Sequence, residues 1–518
     1  MQSTLYPYEN FYEMLVAATQ KTPKKVAIFE ETQKFRYRDI LAKVDAFGAY
    51  LSSIGVQAGD RVGLIAPNST EFVITVYAAT KIGAVVVPIN NMMKANEYEY
   101  IVKDSELKIL VTSAQYKKEV IDLAKVSKIE KMIWIDEIPE GASESALFAQ
   151  ALQEHPNPSQ QEAVGKIDDM AIIFYTSGTT GHPKGAMLSY KNLFSNFIQG
   201  GKRFKVTDKD RFIVYLPMFH AFTFTVMVML PFYYRSSFVV VPKLLPFSNI
   251  IKQTLLKRVT VFLGVPDIYN ALIRADLPWY FMWFNKIRVF ISGASALSED
   301  TLSRFGERFG RATMMEGYGL TETSPVASVN PLERQKPMSI GPALDTYEIK
   351  IVDDEMLEVP VGQTGELIIK GDCVMMGYLN NPVETEKTII NGWLRTGDIG
   401  KIDSEGYLYI VDRMKDIIIS KGINIYPRQI EEELMKLPYV KLSAVIGVAD
   451  DNSTEVPAAY IELEDEVDTE EITVSQVKKD LKKVLANFKI PKHVHFVDAL
   501  PKTATGKVLK RKIKEMNI

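Results

Sequence analysis

A run of hydroxyl and glycine residues that ends in a lysine is the strongest chemical signal in the sequence. The segment YTSGTTGHPKG, at 175–185, directly follows the apolar stretch AIIF. Glycine lets backbone N–H groups approach an anion, and the hydroxyls and the lysine add donors and one positive charge. We therefore expect a phosphate-binding loop that uses Thr176, Ser177, Gly178, Thr179, Thr180 and Lys184. The spacing differs from GxxxxGKS or GxxxxGKT, which disfavours nucleotide hydrolases of the P-loop type.

A second cluster, EGYGLTE at 316–322, carries side chains suited to a base, a phosphate and a metal. Tyr318 stands between two glycines, where its ring can stack on adenine, and Thr321 offers a hydroxyl to phosphate. Glu322 supplies the hard carboxylate oxygen that Mg²⁺ prefers. A tyrosine in a glycine-flanked turn is also commonly structural, so the cluster alone is only moderately specific.

Three later motifs complete the chemically active set. In GWLRTGD, Asp398 can accept hydrogen bonds from both hydroxyls of a ribose, and Arg413 in VDRMKD can add a second polar contact. In PKTATGKVLKRK, Lys507 follows a glycine in a threonine-rich turn. Taken singly, Asp398 would by default cap a turn, and Lys507 would normally belong to the start of a solvated basic helix.

The elements that must position these residues follow from hydrophobic periodicity. Helical spacing over 38–55 and 72–82 alternates with apolar strands such as VGLIAP and AVVVPI, and the alternation recurs over 259–295. This pattern is typical of parallel sheets covered on both faces, so we expect an α/β fold with two doubly wound sheets. Short glycine-rich strands after about residue 339 predict a small β-barrel-like subdomain.

The tail of the chain has a different composition. After the strand YLYIVDR it becomes rich in Lys and Glu, with amphipathic helices predicted at 427–436 and near 474–485. We therefore divide the chain into a large N-terminal domain at 1–411 and a small α+β C-terminal domain at 412–518.

Length, charge and cysteine content exclude several classes of protein. The 518 residues include 47% hydrophobic residues, enough for a large core, which excludes a disordered or fibrous chain. The net charge of −3 argues against a dedicated nucleic-acid binder. A single cysteine, Cys373, excludes an internal disulfide and any multi-cysteine metal site.

The N-terminal segment MQSTLYPYENFYEML has neither a basic start nor a long apolar core, so we expect a cytoplasmic protein. The most apolar stretch, Ala221 to Tyr234, is shorter than the roughly 20 residues of a spanning helix and contains Pro231. It predicts a buried core helix and no transmembrane segment. Peripheral contact of some surface with a membrane stays open.

In chain order, GDRVGLIAPNSTEF, the phosphate loop, LPMFH, SGAS, EGYGLTE, GWLRTGD, VDRMKDIIISKGINIYP and PKTATGK resemble the acyl-activating adenylate-forming superfamily. That superfamily contains acyl- and aryl-CoA ligases, luciferases and peptide-synthetase adenylation domains. The resemblance covers essentially the whole chain and implies an active site between a large domain and a mobile small one. It also implies ATP, Mg²⁺ and coenzyme A as cofactors, with acyl-adenylate formation followed by attack of a thiol.

The resemblance assigns roles by motif position. Lys507 would bridge the substrate carboxylate and the α-phosphate, Asp398 would hold the ribose, and Lys415 would be the hinge. The catalytic group would be His220, Thr321, Glu322 (also the metal ligand) and Lys507. The nucleotide and acyl carbonyl would be surrounded by Gly293, Ala294, Ser295, Glu316, Gly317 and Tyr318, together with the phosphate loop and Arg413. The coenzyme A side would use Ser420, Lys421 and Gly422.

The identity of the acid is less constrained. The Met- and Phe-rich stretch after His220, with Tyr233, Val265 and Val326, indicates an apolar tail, and we expect a medium- or long-chain fatty acid. Aryl acids are the alternative. An amino acid is disfavoured because the motif around His220 offers no carboxylate for its ammonium group. A non-catalytic nucleotide-binding protein is disfavoured because Glu322, Asp398 and Lys507 are all present. The chain is expected to act as a monomer or homodimer.

Overall fold

The computed structural model describes residues 5–142, 144–155, 163–176, 182–243, 245–293, 297–420, 423–449, 455–464, 467, 472–503 and 506–515. The helices up to residue 388 are α1 (Phe11–Lys21), α2 (Tyr37–Ser53), α3 (Thr70–Lys81), α4 (Ala95–Asp104), α5 (Lys117–Val120), α6 (Leu123–Val126), α7 (Phe148–Glu154), α8 (Tyr190–Arg203), α9 (Leu230–Tyr233), α10 (Phe247–Leu256), α11 (Pro266–Arg274), α12 (Trp279–Phe284), α13 (Glu299–Phe309) and α14 (Pro382–Thr388).

The strands up to residue 413 are interspersed with these helices. They are β1 (Val26–Glu30), β2 (Gln33–Arg36), β3 (Arg61–Ile65), β4 (Val85–Pro88), β5 (Leu107–Thr112), β6 (Lys131–Trp134), β7 (Ser145–Leu147), β8 (Met170–Thr176), β9 (Lys184–Ser189), β10 (Arg211–Val214), β11 (Ser237–Val240), β12 (Val261–Gly264), β13 (Val289–Ser292), β14 (Thr313–Tyr318), β15 (Ser328–Val329), β16 (Glu348–Val352), β17 (Gly365–Lys370), β18 (Gly377–Tyr378), β19 (Ile389–Ile390), β20 (Trp393–Ile402) and β21 (Leu408–Arg413).

The first sheet has the strand order β18-β9-β8-β4-β3-β5-β6-β7, parallel except for β9 and β18 at one edge. Both faces are covered. Val86 of β4 packs into the main core, whereas its neighbours Val85 and Val87 pack into a second apolar cluster with Tyr98 of α4. Successive side chains of a strand point to opposite faces, so this division confirms the predicted doubly wound sheet.

The second sheet has the order β15-β14-β13-β12-β10-β11-β1-β2, again parallel in its centre. Tyr269 of α11 and Phe305 of α13 pack on Phe290 of β13, with ring centroids of Phe290 and Phe305 4.8 Å apart. Strands β13 and β14 run in the same direction, so Gly293 and Tyr318 emerge at the same carboxyl edge. Ligands of open α/β sheets bind at this edge.

The apolar stretch after His220 is core, as predicted. Residues Thr223–Met229 form a π-helix that continues into α9, and every residue of this π-helix is buried. Among the described residues, none of the helices combines the length and the apolar character needed to cross a membrane.

Strands β16, β17, β19, β20 and β21 form the β-rich subdomain, a five-stranded antiparallel sheet. The remaining elements belong to the small domain: β22 (Ile418–Ser420), β23 (Ile423–Ile425), α15 (Pro427–Met435), β24 (Val440–Ala449), β25 (Glu455–Leu463), α16 (Val474–Leu481), β26 (His493–Phe496) and α17 (Lys510–Glu515). Ile430, Leu434, Val477 and Leu481 of its helices share one apolar cluster with β24 and β25. A large body of sheets followed by a small α+β domain is the predicted fold class, although the boundary at 411/412 stays a prediction.

Candidate active site

A cleft lies between the carboxyl edge of the second sheet and the small domain. Both sides contribute to its wall. The predicted site residues that line it are Glu316, Gly317, Tyr318, Asp398, Arg413 and Lys507. The fold therefore brings together motifs that are up to 191 positions apart in the sequence, from 316 to 507.

Asp398 is the most completely buried charged group of this set, with 3% of its surface exposed. It faces Arg413 across the β20–β21 ladder, and the Arg413 Nε lies 3.1 Å from its Oδ1. Its Oδ2 accepts a hydrogen bond of 2.6 Å from the Tyr318 hydroxyl. A carboxylate has about four acceptor positions, so acceptor capacity remains for a ligand in the cleft. Burial and the Asp398 charge raise the pKa of Tyr318, which stays a neutral donor.

Lys507 reaches the cleft from the small domain and lies among charged groups. Burial lowers the pKa of its ammonium group to about 8, and the positive charges of Arg413 and Lys415 add to this, while Asp398 opposes it. A desolvated lysine between other cations is poorly neutralised by the protein. An anionic ligand would supply the missing negative charge.

Glu316 stands at the base of the same cleft with 5% of its surface exposed. Its Oε1 accepts a hydrogen bond of 3.2 Å from the backbone N–H of Leu297. Burial raises the pKa of its carboxyl to about 7, despite that bond and the charge of Arg428. Near neutral pH it can therefore either donate or accept a hydrogen bond, as a nucleotide base requires.

A second, apolar cavity adjoins the cleft, because Gly317 and Tyr318 line both. Its other walls include His220, Gly293 and Thr321 of the predicted set. The apolar lining residues are Phe204, Phe222, Ile291, Leu320, Pro325, Val326 and Val329. Gly293 is needed at this wall, because a Cβ there would stand 2.6 Å from the Phe222 ring.

His220 is held neutral at the rim of this cavity. Burial lowers its pKa to about 4, and its Nδ1 accepts a hydrogen bond of 3.3 Å from the backbone N–H of Phe222. A neutral imidazole does not pair with an acid's carboxylate as a cation would. Its place in the wall fits the predicted acyl-pocket position. Of the apolar residues expected nearby, Val326 lines the cavity, whereas Tyr233 packs among Tyr8, Phe194 and Tyr234.

The phosphate-loop lysine has a protein partner. Lys184 Nζ forms an ion pair with Glu384 of α14 and lies 5.3 Å from the centre of the Tyr378 ring. The Tyr378 hydroxyl in turn donates a hydrogen bond of 2.9 Å to Glu322 Oε1. A chain of contacts therefore runs from the predicted phosphate loop to the predicted metal ligand. The sequence motifs do not point to Tyr378 or Glu384, because each contacts a predicted site residue that is distant from it in the sequence.

The remaining predicted residues lie around this centre. Thr176 ends β8 beside β9, and its Oγ1 is 3.5 Å from the Lys184 carbonyl oxygen. Burial lowers the pKa of Lys415, helped by the charge of Arg413. Ser420 ends β22 and is not among the residues that line the cleft. The predictions for Ser177, Gly178, Thr179, Thr180, Ala294, Ser295, Lys421 and Gly422 lie outside the described residues.

Models of known protein families match the chain in two parts. Residues 15–379 match the family described as AMP-binding enzyme, and residues 429–507 match the AMP-binding enzyme C-terminal domain. The two matches fall on the large body and on the small domain that together form the cleft.

Individual relatives agree along almost the full length of the chain. The long-chain-fatty-acid–CoA ligase of Bacillus subtilis (strain 168) is 31% identical, over 98% of this chain and 95% of the relative. A feruloyl-CoA synthase of Amycolatopsis sp is 32% identical, over 96% of this chain and 97% of the relative. The crystal structure of an anthranilate CoA ligase in complex with anthranoyl-AMP superposes with a TM-score of 0.91 at 27% identity, over 99% of this chain and 98% of that one.

Proposed function

The chain belongs to the AMP-binding enzyme family, and from that premise we propose that it is an ATP-dependent ligase joining a medium- or long-chain fatty acid to coenzyme A. In the first half-reaction a carboxylate oxygen bonds to the α-phosphorus of ATP and pyrophosphate leaves. In the second, the thiol sulfur bonds to the acyl carbonyl carbon, AMP leaves and the thiol proton is released.

The observation that carries this proposal is the position of Lys507. Its ammonium group comes from the small domain and enters a cleft that also holds Asp398, next to the mouth of an apolar cavity. An anionic acid must approach a polyanionic nucleotide, so the reaction demands positive charge and positioning above all. A buried, poorly neutralised lysine at this junction meets that demand.

The other residues of the cleft would each contact a different part of the nucleotide. Asp398 accepts hydrogen bonds from the ribose, since Arg413 and Tyr318 hold it in place and leave it acceptor capacity. Glu316 faces the base, where its carboxyl can donate or accept. The phosphates extend toward Thr176 and Thr321.

The carboxylate of Glu322 would hold Mg²⁺. The described residues contain no group of three or more His, Cys, Asp or Glu side chains arranged around a metal. Mg²⁺ fits such a site nonetheless, because it is commonly held by one or two carboxylates together with substrate phosphates and water. When bound it would neutralise phosphate charge. The Tyr378 hydroxyl donates a hydrogen bond to Glu322 Oε1, so Oε2 would be the oxygen that holds the metal.

The second half-reaction calls for a different arrangement of the small domain. Rotation about Lys415 would withdraw Lys507 and bring forward the segment of Ser420, Lys421 and Gly422. In the present arrangement Lys507 lines the cleft and Ser420 does not. This arrangement suits adenylation. One cleft can serve two reactions by exchanging the face of a mobile domain.

The apolar walls of the cavity support a fatty acid, and so does the similarity to a long-chain-fatty-acid–CoA ligase. An aryl acid is the second candidate. Phe222 and Tyr318 offer ring faces to an aromatic substrate, and a feruloyl-CoA synthase is equally similar in sequence.

Carboxylate-dependent exchange of pyrophosphate into ATP distinguishes these candidates. The panel contains straight-chain acids of two to eighteen carbons, benzoate and cinnamate, with and without Mg²⁺. We expect the largest kcat/KM with a medium or long straight-chain acid. A maximum with cinnamate would replace the fatty acid by an aryl acid, and exchange with none of the acids would refute the proposed reaction.

A further inference from the structure

Helix α12 carries an exposed aromatic surface that the proposed reaction does not use. Its sequence is WYFMWF, and only Phe281 is buried in the core. Trp279, Tyr280, Trp283 and Phe284 are exposed to 71%, 45%, 66% and 62%. We call these four residues the aromatic patch. Scattered exposed apolar residues are ordinary, but four aromatic rings on one short helix mark a contact surface.

Basic side chains surround the aromatic patch. The Arg311 guanidinium lies 5.3 Å from the centre of the Trp283 ring, and Lys286 is exposed two residues after Phe284. On α10, which packs against α12, exposed Lys252 stands one turn from Leu256, itself 62% exposed. Two exposed acidic residues are also close in the chain: Asp276 stands three residues before α12, and Glu307 stands four residues before Arg311. We call Lys252, Lys286 and Arg311 the basic rim.

A short segment connects the aromatic patch to one wall of the acyl cavity. Phe204 lines that cavity, and its carbonyl oxygen accepts a hydrogen bond of 3.0 Å from Arg288. Arg288 stands in the short segment between α12 and β13. The cavity wall at Phe204 and the aromatic patch are therefore joined through Arg288 and the segment that leads to it from α12.

The chemistry of this surface selects among possible occupants. Taking about 200 Å² for a full aromatic side chain, the exposed fractions amount to roughly 500 Å², below the ~800 Å² per partner of a stable dimer. A symmetric dimer through this surface would also place the basic rim against itself. Tryptophan and tyrosine favour the boundary between lipid headgroups and acyl chains, and Lys and Arg favour anionic headgroups.

We propose that the aromatic patch and the basic rim dock the protein reversibly on an anionic lipid surface. The aromatic rings enter the headgroup region, and the basic rim contacts the lipid phosphates. Docking through α12 would hold the enzyme at a lipid surface, where apolar acids concentrate. The docking itself needs no ATP, coenzyme A or acid, so its failure and the failure of the proposed reaction are distinguishable.

Co-sedimentation of the full chain with lipid vesicles tests the proposal. Vesicles of phosphatidylcholine mixed with phosphatidylglycerol should bind the protein, and vesicles of phosphatidylcholine alone should bind it more weakly. Binding should also shift tryptophan emission to shorter wavelength, because Trp279 and Trp283 are exposed whereas Trp134 is buried. Raising the salt concentration should weaken binding through screening of the basic rim.

The decisive variant is Trp279→Ser/Trp283→Ser/Phe284→Ser. We expect its vesicle partition coefficient to fall at least ~tenfold. Because these side chains are exposed, pyrophosphate exchange with a short, water-soluble acid should not change. A matched control is Leu357→Ser/Val361→Ser, which removes two apolar side chains exposed to 65% and 63% in the β-rich subdomain. The control should bind vesicles as the parent does.

A second variant, Lys286→Glu/Arg311→Glu, should lose binding to the anionic vesicles and retain the weak binding to phosphatidylcholine. Vesicle binding that is absent in the parent, or unchanged in the triple serine variant, would overturn the proposal. So would a dimer in sedimentation velocity that disappears in the triple serine variant, since the occupant would then be a second copy of the chain.

Discussion

Two buried aspartates that pair with arginine, one linked through Arg288 to the cavity-lining Phe204 and one in the cleft, have almost the same exposure and different surroundings. Asp210 and Arg288 have side chains exposed to 4% and 32%, and Asp398 and Arg413 to 4% and 36%. Arg288 binds Asp210 through both Nε and a terminal nitrogen, at 2.8 and 2.9 Å. Thr207 and Thr260 occupy the remaining acceptor positions of Asp210.

The surroundings of Asp398 are less complete. Among the described residues, its carboxylate oxygens are contacted by the Tyr318 hydroxyl and the Arg413 Nε, and its side chain lines the cleft. Burial by itself would raise the pKa of Asp210, yet its hydrogen bonds hold that pKa below the ordinary value. A buried carboxylate with all its acceptors filled stabilises the fold, whereas one with acceptors open to a cleft can bind a ligand.

The largest effect on activity should come from removing the positive charge of Lys507. Lys507→Ala should lower the rate of adenylation by about 10² to 10³-fold, as loss of one donor to a developing charge does. Thioester formation from pre-made acyl-adenylate should not change, because Lys507 is withdrawn in that half-reaction. Rapid-quench assays of each half-reaction check this. Lys512→Ala, an exposed lysine on α17, is the matched control.

An equal loss in both half-reactions would refute the exchange of domain faces. Lys507 would then have a structural role, as Arg288 does. The cleft around Asp398 would no longer differ in function from the site around Asp210.

The same lysine predicts an alkaline limit. Because burial lowers its pKa to about 8, the free enzyme loses this positive charge as the pH rises through 8. The kcat/KM for adenylation should then fall about tenfold per pH unit above that value. In Lys507→Arg this alkaline fall in kcat/KM should disappear, since a guanidinium stays protonated. If kcat/KM of the arginine variant falls at the same pH as that of the parent, the titrating group is not Lys507.

Matched substitutions at the two aspartates test the comparison directly. Asp398→Asn should raise the KM for ATP about tenfold, since a ribose hydroxyl loses a charged acceptor worth ~1.4 kcal/mol. Asp210→Asn should leave that KM unchanged and lower the free energy of unfolding by about 2 kcal/mol, because five donors lose their anion. Substrate saturation curves and urea unfolding give both quantities. A higher KM for Asp210→Asn would refute its purely structural role.

The smallest effect belongs to the acyl cavity, whose lining residues, from Phe204 to Val329, lie in the large body. Val326→Leu adds one methylene to a cavity wall, so the longest accepted acid should lose about 0.8 kcal/mol, or about fourfold, relative to shorter acids. The KM for ATP should stay the same, because Val326 does not line the cleft. Ratios of kcat/KM over a series of acids measure the change. A change in the KM for ATP would show that a substitution in the cavity wall also alters the cleft.

Much of the fold was predictable, because it follows from local periodicity. The helical spacing over 38–55 predicted α2 at Tyr37–Ser53, and VGLIAP predicted β3 at Arg61–Ile65. Apolar spacing is set by which faces are buried, and it is written in consecutive residues. The exposed surface of α12 was not predicted. A run of aromatic residues is compatible with a buried helix and with an exposed one, and only the packing of neighbouring elements distinguishes the two.

For the site, the sequence by itself determined which chemical groups are available, and the family resemblance that it carries is confirmed. The tertiary structure decided their surroundings. It paired Lys184 with Glu384, connected Tyr378 to Glu322, and left Asp398 with open acceptors while it filled those of Asp210. Burial, hydrogen-bond saturation and charge neutralisation depend on partners tens to hundreds of residues away. A local pattern cannot specify them, and packing does.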